Sequence, residues 1–321
     1  MKDKLDYLEK ILNMPARLLG YTTYDELYQW IKDDKKAIPV DILKERRKFS
    51  VYFVKLVEPD YKVKLVLDTS IPQIQADKVW LEDITGKDID VAILDTGIHD
   101  ENPSLTVEKE IDFTGEGTDD LNGHGTHVAG IVSSTDSTYK GVAYDADLFN
   151  VKVLDKAGSG YGSDVISGIE WAIDNGAEVI SMSLGAEIDP CDGTDAISQA
   201  VDNAVSKGVV AVVAAGNSGP DSGTITTPGC SKNGITVGAV DDNDNVPSFY
   251  SRGPTDDGRI KPDLVAPGVS ITSTWKDNSF ATLSGTSMST PHVSGIAALL
   301  LEANPSLSPS EVKEALKETA V

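Results

Sequence analysis

Short apolar runs alternate with longer amphipathic stretches along most of the chain from about Ile89 onward. The runs are rich in Val, Ile and Ala, and their length suits a buried strand and is too short for a helix. They predict strands at Asp90–Leu94, Val179–Leu184, Val209–Ala214 and Ile235–Val240, and the alternating pattern of Leu148–Leu154 predicts another.

The stretches between these runs carry apolar residues at helical spacing. Ser163 can cap a helix that is expected to end at Gly176. Ser308 and Glu311 predict a capping box at the start of the last helix. Further helices are predicted at Asp195–Ser206 and from Ser287 to about Leu301. Strands that alternate with helices predict an α/β fold with a mostly parallel central sheet covered by helices on both faces.

The first 69 residues differ in character from the rest. They are rich in Lys, Glu, Asp and Tyr, begin with a helix-like stretch and include strand-like runs at Ser50–Leu56 and Lys62–Leu67. We therefore predict a small α+β N-terminal segment, residues 1–69, ahead of an α/β domain, residues 70–321. A chain of 321 residues is long enough to hold both.

Composition excludes several classes of partner. A formal net charge of −23 repels nucleic acid and anionic membrane surfaces, so neither is expected as a partner. No stretch approaches the roughly 20 apolar residues that span a bilayer. The N-terminus lacks the apolar core of a signal peptide. The location therefore stays open between the cytoplasm and, if a leader precedes this sequence, the outside of the cell.

Four glycine-rich segments carry the candidate chemistry. They are VAILDTG with Asp95, NGHGTHVAG with His124, VAAGNSG with Asn217 and SGTSMSTPH with Ser287. Each segment alone is weak evidence, but a carboxylate, an imidazole and a hydroxyl in this order match one arrangement of a nucleophilic triad. On these motifs the chain resembles the subtilisin-like serine proteases (the subtilases, peptidase S8 type), from about Ser70 to the last residue.

The resemblance implies a subtilisin-like three-layer fold and a serine endopeptidase that forms an acyl-enzyme intermediate. Ser287 would be the nucleophile, His124 the general base, Asp95 the group that orients the imidazole, and Asn217 the oxyanion donor. These residue types suit the chemistry, because a serine hydroxyl needs a base within hydrogen-bond reach. His127 matches the family's second, structural histidine and is the nearest alternative base.

The resemblance also implies how a peptide substrate would bind. One edge that pairs with an extended peptide would be formed by Ser183, Leu184 and Gly185, and the facing edge by Gly158, Ser159 and Gly160. The wall of the pocket for the residue before the scissile bond would be formed by Ala214, Ala215 and Gly216. Ser218 and Thr226 lie at the expected rim, and since neither is charged, we expect a broad preference for apolar or medium-sized side chains.

Two other functions stay open at this point. One is a catalytically silent subtilase fold that binds partners, which the four intact motifs argue against. The other is a serine esterase or transpeptidase, which a triad alone does not separate from a peptidase.

The chain departs from the family at its tight calcium site. Ser104 stands in NPSL where a ligand carboxylate is usual, and the loop Ile131–Lys140 is shorter than the calcium-binding version, so we expect this site to be lost. A weaker cation site would use Asp263 with the carbonyls of Gly229, Ser231 and Gly234. Asp241–Asn245 could also bind calcium, although a solvated acidic turn is the favoured interpretation. No cofactor is required for the chemistry, and structural Ca²⁺ stays an open expectation.

The two cysteines flank the substrate cleft when they are aligned on the family pattern. A disulfide between Cys191 and Cys230 is therefore geometrically allowed, and two free thiols are the alternative. A disulfide would favour an extracellular location, as does the family.

The position of residues 1–69 suggests a propeptide, which in this family templates folding and blocks the cleft. We expect a proenzyme that cuts itself between about Leu67 and Ile71 and keeps the freed segment bound as an intramolecular inhibitor. A docking extension is the alternative. Compared with the family, the catalytic domain looks truncated at its C-terminal end. We expect a monomer that acts on protein or peptide substrates.

Overall fold

The computed structural model describes residues 69–320. All of them belong to the larger of the two units into which the chain divides, Leu65–Val321. The strand-like runs Ser50–Leu56 and Lys62–Leu67, together with most of the predicted propeptide, lie outside the described residues.

A seven-stranded sheet forms the centre of the described domain, and all of its strand pairs are parallel. The strands are β1 Asp90–Asp95, β2 Val107–Asp112, β3 Asp147–Lys152, β4 Val179–Met182, β5 Val210–Ala214, β6 Ile235–Val240 and β7 Leu264–Pro267. Their order is β2-β3-β1-β4-β5-β6-β7. The five predicted strands are present, and the predicted α/β fold is confirmed. The additional strands β2 and β7 lie at the two edges of the sheet.

Helices precede, follow and connect these strands. They are α1 Ser70–Gln73, α2 Ala76–Val79, α3 His124–Ser133, α4 Gly162–Asp174, α5 Ala196–Ser206, α6 Thr286–Ala303 and α7 Pro309–Thr319. An antiparallel hairpin of β8 Ile271–Trp275 and β9 Ser279–Leu283 lies between β7 and α6. Within the described residues, no helix is both long enough and apolar enough to cross a bilayer.

Each central strand contributes side chains to two hydrophobic cores. In β1, Val91 and Ile93 belong to the core that α3 and α6 cover, whereas Ala92 and Leu94 face α4 and α5. This division follows from the strand period of two, because successive side chains point to opposite faces. Helices on both faces leave the carboxyl ends of the strands as the place where loops can form a cleft.

One of the two predicted N-terminal helix caps is present. The capping box of Ser308 and Glu311 is present, and Asp195 accepts a hydrogen bond from the backbone of Ser198 at the start of α5. The predicted cap at Ser163 is wrong. Helix α4 begins at Gly162, one residue earlier, and Tyr161 precedes it without a side-chain cap.

Candidate active site

Asp95 lies where β1 ends, beside the point at which the strand order reverses. Its side chain is fully buried, and Oδ1 accepts hydrogen bonds from the backbone of Thr96 at 2.8 Å and from Nδ1 of His124 at 2.7 Å. Oδ2 is buried without a hydrogen-bond partner among the described residues. The carboxylate is therefore held in one orientation, with its charge directed at the imidazole.

His124 is the first residue of α3, and two glycines allow it to approach β1. A Cβ on Gly125 would collide with the carbonyl of Gly97, which follows the strand. Gly123 has φ +112°, a left-handed conformation that costs glycine little. The glycine-rich motif is thus required by close packing of the helix start against the end of β1.

The protonation of His124 is set by opposing effects. Burial in the cleft lowers the pKa, but the charge and hydrogen bond of Asp95, with the charge of Asp120, outweigh it and raise the pKa of His124 above its usual value. Because Nδ1 is bonded to Asp95, Nε2 is the nitrogen that can accept a proton. The imidazole is a quarter exposed, so an incoming group can reach it.

Ser287 is the second residue of α6, where backbone N–H groups have no partner within the helix. Its hydroxyl donates to the carbonyl of Ser183 at 3.1 Å, and the Ser183 hydroxyl donates to the carbonyl of Ser287 at 2.8 Å. Within residues 69–320, the structure has no hydrogen bond between the Ser287 hydroxyl and His124. Catalytic hydrogen bonds are often long or misaligned without substrate, and they tighten in the complex.

Asn217 is held by Thr286, the residue before Ser287. Asn217 Oδ1 accepts hydrogen bonds from the backbone N–H of Thr286 at 3.0 Å and from the Thr286 hydroxyl at 3.1 Å. The oxygen is therefore committed, and the Nδ2 amide is the group left to donate. Sequence reasoning missed Thr286, although its place between Gly285 and Ser287 in SGTS could have drawn attention to it.

The predicted substrate edges lie along one cavity of about 450 Å³. The structure brings together there His124, Gly158, Ser159, Gly160, Ser183, Leu184 and Gly185, together with the apolar side chains of Leu154, Val165 and Ile197. Of the predicted pocket wall, Ala214 ends β5 and Ala215 follows it, and both are buried, whereas Gly216 is half-buried. A peptide laid between the two edges would therefore pass His124.

The other three histidines are not placed to act on Ser287. His127 donates from Nε2 to the carbonyls of Ile271 and Ala281, and His292 donates from Nδ1 to the carbonyl of Met288. Burial lowers the pKa of both His127 and His292 to about 4, so they are neutral at pH 7. His99 contacts Asp119 rather than Asp95.

The predicted cation site at Asp263 requires correction, because side chains of the protein already use its oxygens. Lys261 Nζ lies 2.7 Å from Asp263, and Lys313 Nζ lies 3.0 Å from it. Both ammonium groups also donate to the carbonyl of Gly234, while Arg259 donates to that of Ser231 and Thr236 to that of Gly229. Two ammonium groups, of which that of Lys261 is buried, stand where a metal ion was expected, so the residues do not fit a metal ion.

The other candidate calcium positions are also committed to internal hydrogen bonds. Asp241 accepts from the backbones of Asn243 and Asn245, and Asp244 accepts from the side chain of Gln73. This agrees with a solvated acidic turn at Asp241–Asn245. The carbonyl of Ser104 accepts from the backbone of Thr135, which ties the NPSL segment to the short loop.

The structure joins Cys191 and Cys230 by a disulfide, with the two Cα atoms 5.3 Å apart. The bond connects the loop after β4 with the loop before β6, close to an antiparallel bridge between Ala186 and Thr227. Closing a loop of this sequence separation, 39, stabilises the fold by about 4 kcal/mol in the chain-entropy model. The disulfide thus holds together two segments beside the cleft.

The chain is similar to known proteins in both sequence and structure. Residues 86–321 match a family model described as "Subtilase family". The chain is 45% identical over 298 residues to serine protease AprX of Bacillus subtilis (strain 168), which covers 80% of this chain and 67% of that protein. It is 46% identical over 256 residues to subtilisin DY of Bacillus licheniformis, covering 78% and 90%. Among solved structures, sphericase matches with a TM-score of 0.65 at 42% identity, covering 73% of this chain and 83% of that one.

Proposed function

Because this chain belongs to the subtilase family and is a serine endopeptidase, we propose that Asp95, His124 and Ser287 are its catalytic triad and Asn217 its oxyanion donor. The observation that carries the proposal is the 2.7 Å hydrogen bond between His124 Nδ1 and Asp95 Oδ1. It leaves Nε2 as the nitrogen that can accept a proton, and Ser183, which lines the same cavity as His124, is hydrogen-bonded to Ser287. The resemblance stated from the motifs agrees with the family comparisons.

In the proposed reaction, Ser287 Oγ attacks the scissile carbonyl while His124 Nε2 takes the hydroxyl proton. The carbonyl oxygen becomes an oxyanion, which accepts hydrogen bonds from Asn217 Nδ2 and from the backbone at the start of α6. His124 then gives its proton to the leaving amine, and an acyl-enzyme remains. Water repeats the sequence and releases the acid. Asp95 keeps its hydrogen bond with His124 Nδ1 and stabilises the imidazolium without taking its proton.

The side chain before the scissile bond would meet Thr226. A Cβ placed on Gly185 would lie 2.5 Å from Thr226 Oγ1, and one placed on Gly216 would lie 2.7 Å from it. The Thr226 side chain therefore fills the space between these two glycines and shortens the pocket. This supports a preference for apolar or medium-sized side chains.

Exchange of Ser287 tests the proposed mechanism. Ser287→Ala should abolish both peptide hydrolysis and labelling by a fluorophosphonate probe, because the attacking oxygen is gone, while circular dichroism stays unchanged. Ser206→Ala, at an exposed serine of α5, is the matched control and should keep both. Hydrolysis that survives Ser287→Ala would overturn the assignment.

Exchange of Thr226 tests the proposed specificity. Thr226→Gly should raise kcat/KM for a substrate with an aromatic side chain before the scissile bond relative to one with alanine. Thr226→Ser keeps the hydroxyl and should leave that ratio near the wild-type value. A ratio that does not change in Thr226→Gly would place the limit of the pocket elsewhere.

We also propose that residues 1–69 are a propeptide, on the strength of their position before Ser70 and their distinct composition. The described cleft offers two edges to which its C-terminal end could add as an extended strand. Mass spectrometry of intact protein should find two fragments, cut between about Leu67 and Ile71, and one uncut chain for Ser287→Ala. A fully active wild-type enzyme that stays uncut would favour a docking extension. The Cys191–Cys230 disulfide suits an oxidising compartment, which supports the extracellular location.

A further inference from the structure

Asp120 is a buried carboxylate four residues before His124, and the motif analysis did not single it out. Its exposed fraction is 2%. Oδ1 accepts hydrogen bonds from the Thr96 hydroxyl at 2.9 Å and from the backbones of Asn122 at 3.0 Å and Gly123 at 2.8 Å. Oδ2 accepts from the backbone of Thr126 at 2.9 Å and from its hydroxyl at 2.7 Å. These five hydrogen bonds give both oxygens of the buried carboxylate a partner.

These bonds connect the two segments that carry the acid and the base. Thr96 directly follows Asp95, and its hydroxyl donates to Asp120 while accepting from the backbone of Gly125 at 2.9 Å. Gly123 and Gly125 are the neighbours of His124 on its two sides. One buried side chain therefore fixes the end of β1 and the first turn of α3 relative to each other.

The charge of Asp120 has no counter-ion, since no ion pair to Asp120 is present in residues 69–320. The titratable groups that act on His124 are Asp95 from β1, Asp120 from the loop before α3, and His127 from its own helix, which is neutral. Both carboxylates favour the protonated imidazole, and in a partly buried site such charges are weakly screened.

We propose that Asp120 is a positioning residue of the active site, which holds Asp95 and His124 at hydrogen-bonding distance and supplies a second negative charge that stabilises the imidazolium formed during catalysis. The inference rests on the proposed roles of Asp95 and His124. If Asp120 does not have this role, Ser287→Ala would still be inactive. The two proposals can therefore fail independently of each other.

The test compares pH profiles of kcat/KM, whose acid limb reports the protonation of the base in the free enzyme. Asp120→Asn removes the charge and turns an amide towards the two donors of Thr126. It should move the acid limb to lower pH, because the imidazolium loses a stabilising charge, and should lower kcat about tenfold or more through misplacement of His124. KM should change little, since Asp120 does not line the cleft.

Two further variants separate charge from position. Thr96→Val removes the hydroxyl bridge but keeps the charge, so kcat should fall while the acid limb stays in place. Asp119→Asn is the matched control, because this neighbouring carboxylate is 52% exposed and contacts His99 instead. It should leave both readouts at wild-type values.

The proposal is overturned if folded Asp120→Asn keeps the wild-type acid limb and kcat, or if it changes KM alone. If Asp120→Asn does not fold, Thr96→Val decides, and an unchanged kcat in that variant overturns the proposal.

Discussion

Two groups of buried charges lie at different places in this domain, and they use their hydrogen-bonding capacity differently. At the active site, Asp95 and Asp120 place two negative charges near one imidazole. At the other group, Lys261 and Lys313 place two ammonium groups around the single carboxylate of Asp263. The first group has an excess of negative charge, and the second has an excess of positive charge.

The difference lies in the atoms left uncommitted. Asp95 Oδ2 has no hydrogen-bond partner among the described residues, and Nε2 of His124 is available to accept a proton. In the second group both oxygens of Asp263 are bonded, and Lys261 also donates to Gly234 and Thr236. Burial lowers the pKa of Lys261 to about 8, with Asp263 opposing the shift. A catalytic site needs a polar atom that is free to bond with the substrate. A purely structural cluster is most stable when every buried polar atom has a hydrogen-bond partner.

The largest expected effect on stability comes from breaking the second group. Asp263→Asn leaves Lys261, whose side chain is 2% exposed, as an unpaired buried charge and should lower the free energy of unfolding by about 3–5 kcal/mol. Urea denaturation measures this. Glu314→Gln, which removes the exposed ion pair with Lys317, is the control and should produce no measurable change in the free energy of unfolding. A loss for Asp263→Asn as small as that of the control would contradict the comparison.

A loss of activity without a matching loss of stability is expected at Asn217. In subtilisin itself, removing the corresponding donor costs about 10²–10³ in kcat, and Asn217→Ala should show the same order. KM should change little, because the proposed contact of the amide is with the developing oxyanion rather than with bound substrate. Steady-state kinetics measure the split. A change confined to KM would assign Asn217 to substrate binding.

Stability should also fall in acid because of His127 and His292. Each has a pKa of about 4 in the fold against an ordinary value of 6.5, so the unfolded state binds protons first as the pH drops below 6.5. The stabilisation is present above pH 6.5 and is lost down to about pH 4, by about 3 kcal/mol for each histidine. Urea denaturation between pH 7 and pH 4 should show this, with a shallower fall for His292→Gln. If the free energy of unfolding of His292→Gln falls with pH as steeply as that of the wild type, His292 does not contribute to the acid sensitivity.

The smallest effect is expected from a chelator. The oxygens of the predicted cation site are taken by Lys261, Lys313 and Arg259, so EDTA should leave the melting temperature nearly unchanged. Differential scanning calorimetry with and without EDTA measures this. A collapse of the melting temperature that calcium reverses would show that another site stabilises the fold.

The sequence alone determined the elements whose signal is local. The central strands are buried on both faces, so β1 and β5 appear as nearly continuous apolar runs. The edge strand β2 was missed because four of the six residues of VEKEID are charged and the strand is only half buried. The capping box at Ser308 was predictable, since its partner Glu311 lies three residues away. The triad candidates were found because each lies in a short motif.

Only the tertiary structure decided which distant groups meet. Asn217 is oriented by Thr286, 69 residues later in the chain, and no local pattern contains that contact. Lys313 reaches Gly234 across 79 residues, so a sequence pattern that suggested a metal ion could not reveal the ammonium groups that stand in its place. A short motif predicts the local backbone conformation and identifies the reactive side chain. The partners that tune that atom come from segments that meet only when the sheet and its covering helices assemble.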